Sequence, residues 1–306
     1  MHPAARFPLF RPLELEDRPF IMGLLREYGP ETSELTFTNL FIWRNHYSFQ
    51  WSLYKDWLCI TGMENEGPLF ALEPVGPAGN ADIAMMLLEW LRDEKKVVHP
   101  VIERAGKRFV RELERLPGIV AEEIREHFDY VYLTGDLIDL PGGRFRNKRN
   151  YINQFHRTYG SYSYEPLEER HVDACMDLQE RWCAYRRCDD DLNLLGEWEA
   201  TREILTNYRA LDVTGAVILL EEEVRAFTIG EAMGGDMAVV HIEKADPGIP
   251  GLYQLINQQF CARRWKDTRF LNREQDLGIP GLRTAKLSYN PHHFVEKYRV
   301  SLKRET

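Results

Sequence analysis

Acidic and amide side chains and one histidine alternate along two segments that the sequence predicts to be neighbouring strands, residues 237–244 and 270–278. Side chains two positions apart share one face of a strand. Like charges held close together raise one another's pKa, which suits a base that takes a proton from an ammonium group near neutral pH. These alternating residues are His241, Glu243, Asn272, Glu274 and Asp276. We predict the histidine and the three acids to be catalytic, and Asn272 to orient a donor molecule.

The same residues do not form a convincing metal site. The pair His241-x-Glu243 offers two ligands, whereas zinc sites in proteins use three or four. We therefore predict no metal ligands and no required cofactor.

Two segments of this acidic chain are basic. Residues 141–164 carry five basic and no acidic side chains, and residues 246–306 carry eleven basic and six acidic ones, in a chain of net charge −9. Basic side chains interleaved with aromatic ones suit a phosphate backbone and a stacked base, so tRNA is a predicted partner of both segments. The residues predicted to hold the donor there are Lys148, Arg149, Asn150, Lys286 and Ser288, with Lys244 added from the first strand segment.

A glycine-bounded turn, residues 248–251, precedes a predicted helix that begins at Leu252. Backbone N–H groups at such a helix start suit an anion. We predict that Gly248, Gly251 and Leu252 contribute to donor binding. Pro250 supplies no N–H, which counts against a pyrophosphate in this turn. A similar turn, residues 76–79, occupies the corresponding place in the first half.

An internal repeat relates the two halves of the chain. Residues 10–28 and 164–182 align at a constant offset of 154, with identical Pro, Leu, Glu, Met and Leu positions. Apolar periodicity predicts the same order in each half: strand, two helices, three strands, helix, strand, helix, strand. This predicts an N-terminal domain over 1–140, a basic linking helix over 141–159 and a C-terminal domain over 160–306. Because the first half has no counterpart to the 272–276 cluster, we expect the site in the second.

This element order resembles the GNAT (acyl-CoA N-acyltransferase-like) fold used twice, an α/β (α+β) architecture of mixed central sheets flanked by helices. Residues 128–155, with Asp-Leu, Leu-x-Gly and Lys-Arg-Asn, and residues 270–291, FLNREQDLGIPGLRTAKLSYNP, carry a closer resemblance. Together they resemble the phosphatidylglycerol lysyltransferase C-terminal domain family, in its soluble two-domain branch. In lysyltransferases an Asp-Leu-Met-Arg pattern precedes the anion-binding turn. Residues 241–244 here read His-Ile-Glu-Lys.

The resemblance implies aminoacyl or acyl transfer from an activated donor, aminoacyl-tRNA, to an amine or hydroxyl acceptor such as a small molecule or a peptide. Related Fem-type enzymes transfer amino acids in the same way. Two alternatives stay open: a CoA-dependent N-acetyltransferase with acyl-CoA as co-substrate, and a GNAT-like binding module without turnover. No signal peptide and no membrane-spanning stretch is predicted. The five cysteines are irregularly spaced and are predicted to be reduced thiols, so we expect a cytoplasmic protein.

Overall fold

The structure is a computed structural model that describes residues 5–64, 67–77, 81–113, 116–186 and 192–303. The end of the predicted glycine turn at 78–79 lies outside these ranges, and so does Cys188. Cys59, Cys175 and Cys261 are buried free thiols. Cys183 is disulfide-bonded, so the prediction of a reduced thiol is wrong there, because spacing alone does not reveal which thiols face each other.

Strands and helices follow much of the predicted alternation along the chain. The strand Ile119–Glu123 and the helix Thr134–Asp139 are additional, and the last predicted strand is divided into two, His293–Val295 and Lys297–Leu302. Through the first half the elements are β1 (Arg11–Pro12), α1 (Arg18–Tyr28), α2 (Phe37–Ile42), β2 (Gln50–Tyr54), β3 (Trp57–Met63), β4 (Leu69–Leu72), α3 (Ala81–Asp93), β5 (Val101–Gly106), α4 (Lys107–Leu113), β6 (Ile119–Glu123) and β7 (Asp129–Leu133). Through the second half they are α5 (Thr134–Asp139), α6 (Arg146–Tyr159), β8 (Ser163–Pro166), α7 (Glu169–Arg186), α8 (Leu192–Asn207), β9 (Thr214–Leu220), β10 (Glu223–Gly234), β11 (Met237–Ala245), α9 (Leu252–Arg264), β12 (Phe270–Asn272), α10 (Pro280–Leu287), β13 (His293–Val295) and β14 (Lys297–Leu302).

The chain divides into two compact units. The first comprises Met1–Asp129, Gln275–Gly278 and Val295–Thr306, and the second comprises Tyr130–Glu274 and Ile279–Phe294. Each unit therefore contains segments from distant parts of the sequence.

The sheet of the first unit has the strand order β1-β2-β3-β4-β5-β14-β6. Its pairs are antiparallel except for β4 and β5, where Ala71 lies beside Ile102 in a parallel pair. Helix α3 makes this parallel connection and buries an apolar stripe with Leu87, Leu88 and Leu91, the spacing expected of a helix that packs on a sheet.

The sheet of the second unit has the order β13-β7-β12-β11-β10-β9-β8. Its parallel pair joins β11 to β12, with Val239 beside Asn272, and helix α9 connects them. Helix α6 buries Lys148, Ile152 and Phe155, three positions on one helical face. The apolar two lie in the core of this unit, so their burial carries Lys148 inward with them.

The last strand of each half lies in the sheet built mostly from the other half. Strand β7 pairs with β12 in the second unit, and β14 lies between β5 and β6 in the first. The predicted boundaries at 140 and 160 follow chain order and do not include this exchange. Strand β14 alternates polar and apolar residues, whereas four of the five residues of β7 are buried. Either pattern specifies a strand without specifying its partner.

Candidate active site

The His241 imidazole is held between two carboxylates in the second unit. Its Nδ1 lies 2.9 Å from Glu274 Oε1 and its Nε2 lies 3.0 Å from Glu231 Oε1, and the ring is fully buried. Burial alone would lower the pKa of this imidazole, but the hydrogen bonds to both glutamates raise it to about 9. At neutral pH His241 is therefore an imidazolium that donates to both carboxylates, and it is not free to act as a base.

Sequence patterns do not single out Glu231. It lies on β10 beside Val239 of β11, two positions after Ile229, where a bulge shifts the register between the two strands. The only signal is a glutamate directly after an apolar run, and that signal also fits a solvent-facing strand end.

Glu243 forms a second polar group on the same face of β11. Arg273 Nη2 donates to its Oε1 at 2.8 Å, and Asn257 Nδ2 donates to its Oε2 at 3.0 Å. Burial disfavours the Arg273 guanidinium, but Glu243 and nearby phenols raise its pKa overall. The guanidinium also lies over the Tyr289 ring, 4.9 Å from the centroid, an attraction of the cation–π kind.

Lys148 and Ser288 meet beside that tyrosine. Lys148 Nζ lies 2.6 Å from Ser288 Oγ and 3.9 Å from the centre of the Tyr289 ring. Burial and the positive charge of Arg273 together lower the pKa of Lys148 to about 8, and Glu243 opposes the shift. Ser288 itself is exposed, one residue past the end of α10.

Lys286 and Asn272 hold the backbone between β12 and α10. Lys286 Nζ donates to the carbonyl oxygens of Arg273 and, at 3.0 Å, Glu274. The Asn272 side chain accepts from the Glu274 N–H at 2.7 Å. Glu274 has a φ of 53°, which is unusual for a residue with a side chain, so these bonds fix the direction of its carboxylate.

Asp276 is not grouped with the other predicted acids. It belongs to the first unit, where Arg125 Nη1 lies 3.5 Å from its carboxylate and the Gly278 N–H donates to it at 2.9 Å. The strand that we predict over 270–278 ends at Asn272, and positive φ values at Glu274 and Leu277 break the alternation. Asp276 therefore does not share a strand face with Glu274.

Two of the other predicted donor-binding groups, Arg149 and Asn150, lie on α6. Arg149 Nη1 donates to the carbonyl oxygens of Leu140 and Gly142, and so ties α6 to the loop before it. Asn150 is exposed on α6.

Lys244 follows Glu243 directly on β11, so the two side chains lie on opposite faces of the strand. Lys244 therefore contacts a different set of residues from Lys148. It is buried, pairs with Glu197 at 2.9 Å and lies 3.3 Å from the centre of the Trp182 ring. Burial lowers its pKa.

The turn before α9 already uses several of its backbone groups. The Gly248 N–H donates to Asp246 Oδ1 at 2.9 Å, and the Leu252 N–H donates to the Ile249 carbonyl at 3.3 Å. At Gly251, φ is 87° and an added Cβ would lie 2.2 Å from the Tyr151 carbonyl oxygen. Helix α6 thus approaches this helix start closely. Among the described residues, no group of three or more His, Cys, Asp and Glu side chains could hold a metal ion.

Comparison with known proteins places this geometry in context. The family model for the C-terminal region of phosphatidylglycerol lysyltransferase matches residues 25–301. An uncharacterized protein from Mycoplasmoides gallisepticum is 22% identical over 203 residues, which cover 62% of this chain. The match spans 64% of the length of this curated relative.

Solved structures also resemble the chain. A conserved protein of unknown function from Bacteroides thetaiotaomicron is 34% identical, with a TM-score of 0.88 over 96% of this chain and 99% of that one. The structure of L-PGS from Bacillus licheniformis is 14% identical, with a TM-score of 0.63 over 95% of this chain and 93% of that one. The predicted class is confirmed: two mixed sheets flanked by helices, with a GNAT-like fold. Within the described ranges, no helix is both long and apolar enough to span a bilayer.

Proposed function

Because the chain belongs to the phosphatidylglycerol lysyltransferase C-terminal family, we propose that it transfers an aminoacyl group from aminoacyl-tRNA to an amine or hydroxyl acceptor. The proposed site lies in the second unit, around Glu243, Arg273, Glu274 and Lys148. One observation carries the proposal. The basic helix α6 places the buried Lys148 against the Tyr289 ring, and Arg273, which pairs with Glu243, contacts the same ring.

The donor ester in this reaction is already activated. The protein must therefore position two substrates, accept one proton and stabilise the oxyanion that develops on the carbonyl oxygen. In the proposed site, Arg273 supplies positive charge for that oxyanion or for a donor phosphate, and the acidic group around His241 binds the amine.

The His241 imidazolium lies between the carboxyl groups of Glu231 and Glu274, 3.0 Å and 2.9 Å from its two ring nitrogens. The Glu274 side chain is 17% exposed and that of Glu231 is 9% exposed. Glu274 is therefore the carboxylate that we assign to an incoming ammonium group, as its binding partner and as the base that accepts its proton.

The outward face of α6 supports an RNA donor. Arg146 and Arg157 are exposed on a helix that contains no acidic residue, and Tyr151 is 47% exposed between them. Exposed arginines and an exposed aromatic ring on one helix suit phosphates and an unstacked base.

Coenzyme A is disfavoured as the donor by the turn before α9. Proline at position 250 offers no N–H, the Leu252 N–H already donates to Ile249, and the Tyr151 carbonyl approaches Gly251. A pyrophosphate would need those groups free. A binding module without turnover is the remaining alternative, and it predicts RNA binding without product.

The test is transfer of a labelled amino acid from a charged tRNA mixture to a panel of amine acceptors, together with tRNA binding titrated against salt. We expect a log–log slope of several units, at about −0.7 per phosphate contact on a single strand and about −0.9 on a duplex.

The Arg157→Glu variant should reduce the steepness of that slope by about one unit. Arg181→Glu is the matched control, because Arg181 is an exposed arginine on α7 and its reversal should change nothing. An absence of tRNA binding at low salt would exclude this donor. Binding without any transfer would favour the binding module.

A further inference from the structure

The contact between Lys148 and Ser288 joins a buried amine to an exposed hydroxyl. Lys148 Nζ donates to Ser288 Oγ at 2.6 Å, and the Ser288 hydroxyl donates to the Ala285 carbonyl oxygen at 2.6 Å. A hydroxyl with a buried lysine at hydrogen-bond distance has the arrangement of an activated nucleophile and its base.

We infer that Ser288 is a nucleophile that carries the aminoacyl group and that Lys148 is its general base. This inference rests on the proposed function for its donor, an activated ester. Ser288 Oγ attacks the carbonyl carbon of the donor ester, and the hydroxyl proton passes to Lys148 Nζ. The bond from the carbonyl carbon to the ribose oxygen breaks, and the ribose oxygen takes the proton from Lys148.

The product of this first step is a seryl ester of the amino acid and a free tRNA hydroxyl. In the second step the acceptor amine attacks the seryl ester, and Ser288 leaves as the alkoxide. The amine proton returns through Lys148 to Ser288 Oγ. Both steps conserve atoms and electrons without any oxidant, reductant or further reactant.

The roles of the two residues follow from the stability of their acyl products. Acylation of Lys148 would give an amide, which does not release its acyl group to another amine. Acylation of Ser288 gives an ester, which does. Only the serine therefore supports turnover.

The surroundings of Lys148 favour the neutral amine that a base requires. Burial and the Arg273 charge lower its pKa to about 8, against the opposing charge of Glu243. The Tyr289 ring lies below the amine and fixes its position. Ser288 is exposed, so a donor as large as tRNA can reach it.

The test uses p-nitrophenyl acetate, a small activated ester that needs no tRNA. Intact-mass spectrometry and peptide mapping should find one acetyl group on Ser288 that hydroxylamine removes. The labelling rate should rise with pH, reach half of its maximum near pH 8 and then level off, following the pKa of Lys148 beside Arg273, Glu243 and Tyr289. Ser288→Ala should abolish this adduct, and Lys148→Met should slow its formation roughly 10²- to 10⁴-fold and remove the inflection.

Ser163→Ala is the matched control, since Ser163 is an exposed serine on β8, and it should label like the natural protein. Thermal unfolding of each variant establishes that it is folded. Absence of an ester on Ser288 in the folded natural protein, or a hydroxylamine-resistant amide on Lys148 instead, would overturn the inference.

Aminoacyl transfer measured in parallel separates this inference from the proposed function. Transfer by Ser288→Ala at the natural rate would refute the seryl intermediate and leave aminoacyl transfer standing. A seryl ester in a protein that never transfers from any charged tRNA would support the dyad and refute the proposed donor.

Discussion

Both units contain buried charged side chains near the strand that follows the connecting helix, but they use them differently. In the first unit, Lys297 and Asp129 are fully buried with Nζ and Oδ1 2.6 Å apart, and Glu34 pairs with the same ammonium group. Arg104 Nη2 donates to the Tyr47 hydroxyl at 2.8 Å. Asp129 and Glu34 raise the pKa of Lys297 against the effect of burial, so its charge is fixed.

The second unit leaves some of its charged and nucleophilic groups within reach of solvent. Ser288 is exposed, and the pKa of Lys148 is lowered rather than raised. The residues Arg104 and Glu274 show the contrast, since both have a positive φ near 55° (56° and 53°). Arg104 donates a hydrogen bond to a buried tyrosine, whereas Glu274 presents a partly exposed carboxylate. A charge fully paired in the interior stabilises a fold, whereas chemistry needs a group that can still change its proton or partner.

The largest expected effect comes from a substitution in the buried ion-pair network of the first unit, which consists of Lys297, Asp129 and Glu34. Lys297→Met removes the buried cation that Asp129 and Glu34 share, which should lower the free energy of unfolding by about 3–5 kcal/mol. Lys148→Met should cost much less, because Lys148 bonds to the Ser288 hydroxyl and forms no ion pair with a carboxylate within the described ranges. Urea unfolding of both variants checks this contrast, and equal losses would show that the two lysines have the same role.

The second prediction concerns how the stability contributed by His241, in the second unit, depends on pH. The folded pKa of His241 is about 9, above its ordinary 6.5, so its contribution to stability is complete below pH 6.5. That contribution is lost as pH rises toward 9, and should amount to about 3 kcal/mol. The difference between the natural protein and His241→Gln in urea unfolding from pH 6 to 9 isolates this residue. A difference that does not vary with pH would contradict the imidazolium assignment.

A smaller and more local effect distinguishes two acids that are neighbours in sequence. Glu274→Gln should slow aminoacyl transfer about 100-fold, because it removes the assigned base of the second unit. Asp276→Asn should leave the transfer rate essentially unchanged and affect only stability, since Asp276 pairs with Arg125 in the first unit. The reverse result, a slow Asp276→Asn enzyme, would return Asp276 to the site.

Local patterns in the sequence predict the elements around the site well. Strand β11 and helix α9 lie where periodicity places them, and the apolar stripe of α6 carries Lys148 inward. The pairing of Lys148 with Ser288 spans 140 residues, so it depends on tertiary packing that no local pattern encodes.

Two other features of the site also escape sequence patterns. Alternation cannot reveal that the strand at Asn272 ends in a turn with positive φ, which separates Asp276 from Glu274. It also cannot assign Glu231 a partner, because a bulge in β10 sets which side chains meet His241.

The exchange of the two last strands has a consequence for synthesis of the protein. Strand β14 pairs with β5 and β6, which lie far earlier in the chain, so the first sheet stays open until residues 297–302 have left the ribosome. Unpaired strand edges favour aggregation, and pairing over such distances is slow. During synthesis, the sheet of the N-terminal half therefore has an exposed edge until the final strand is made. Expression of residues 1–140 alone should give insoluble protein.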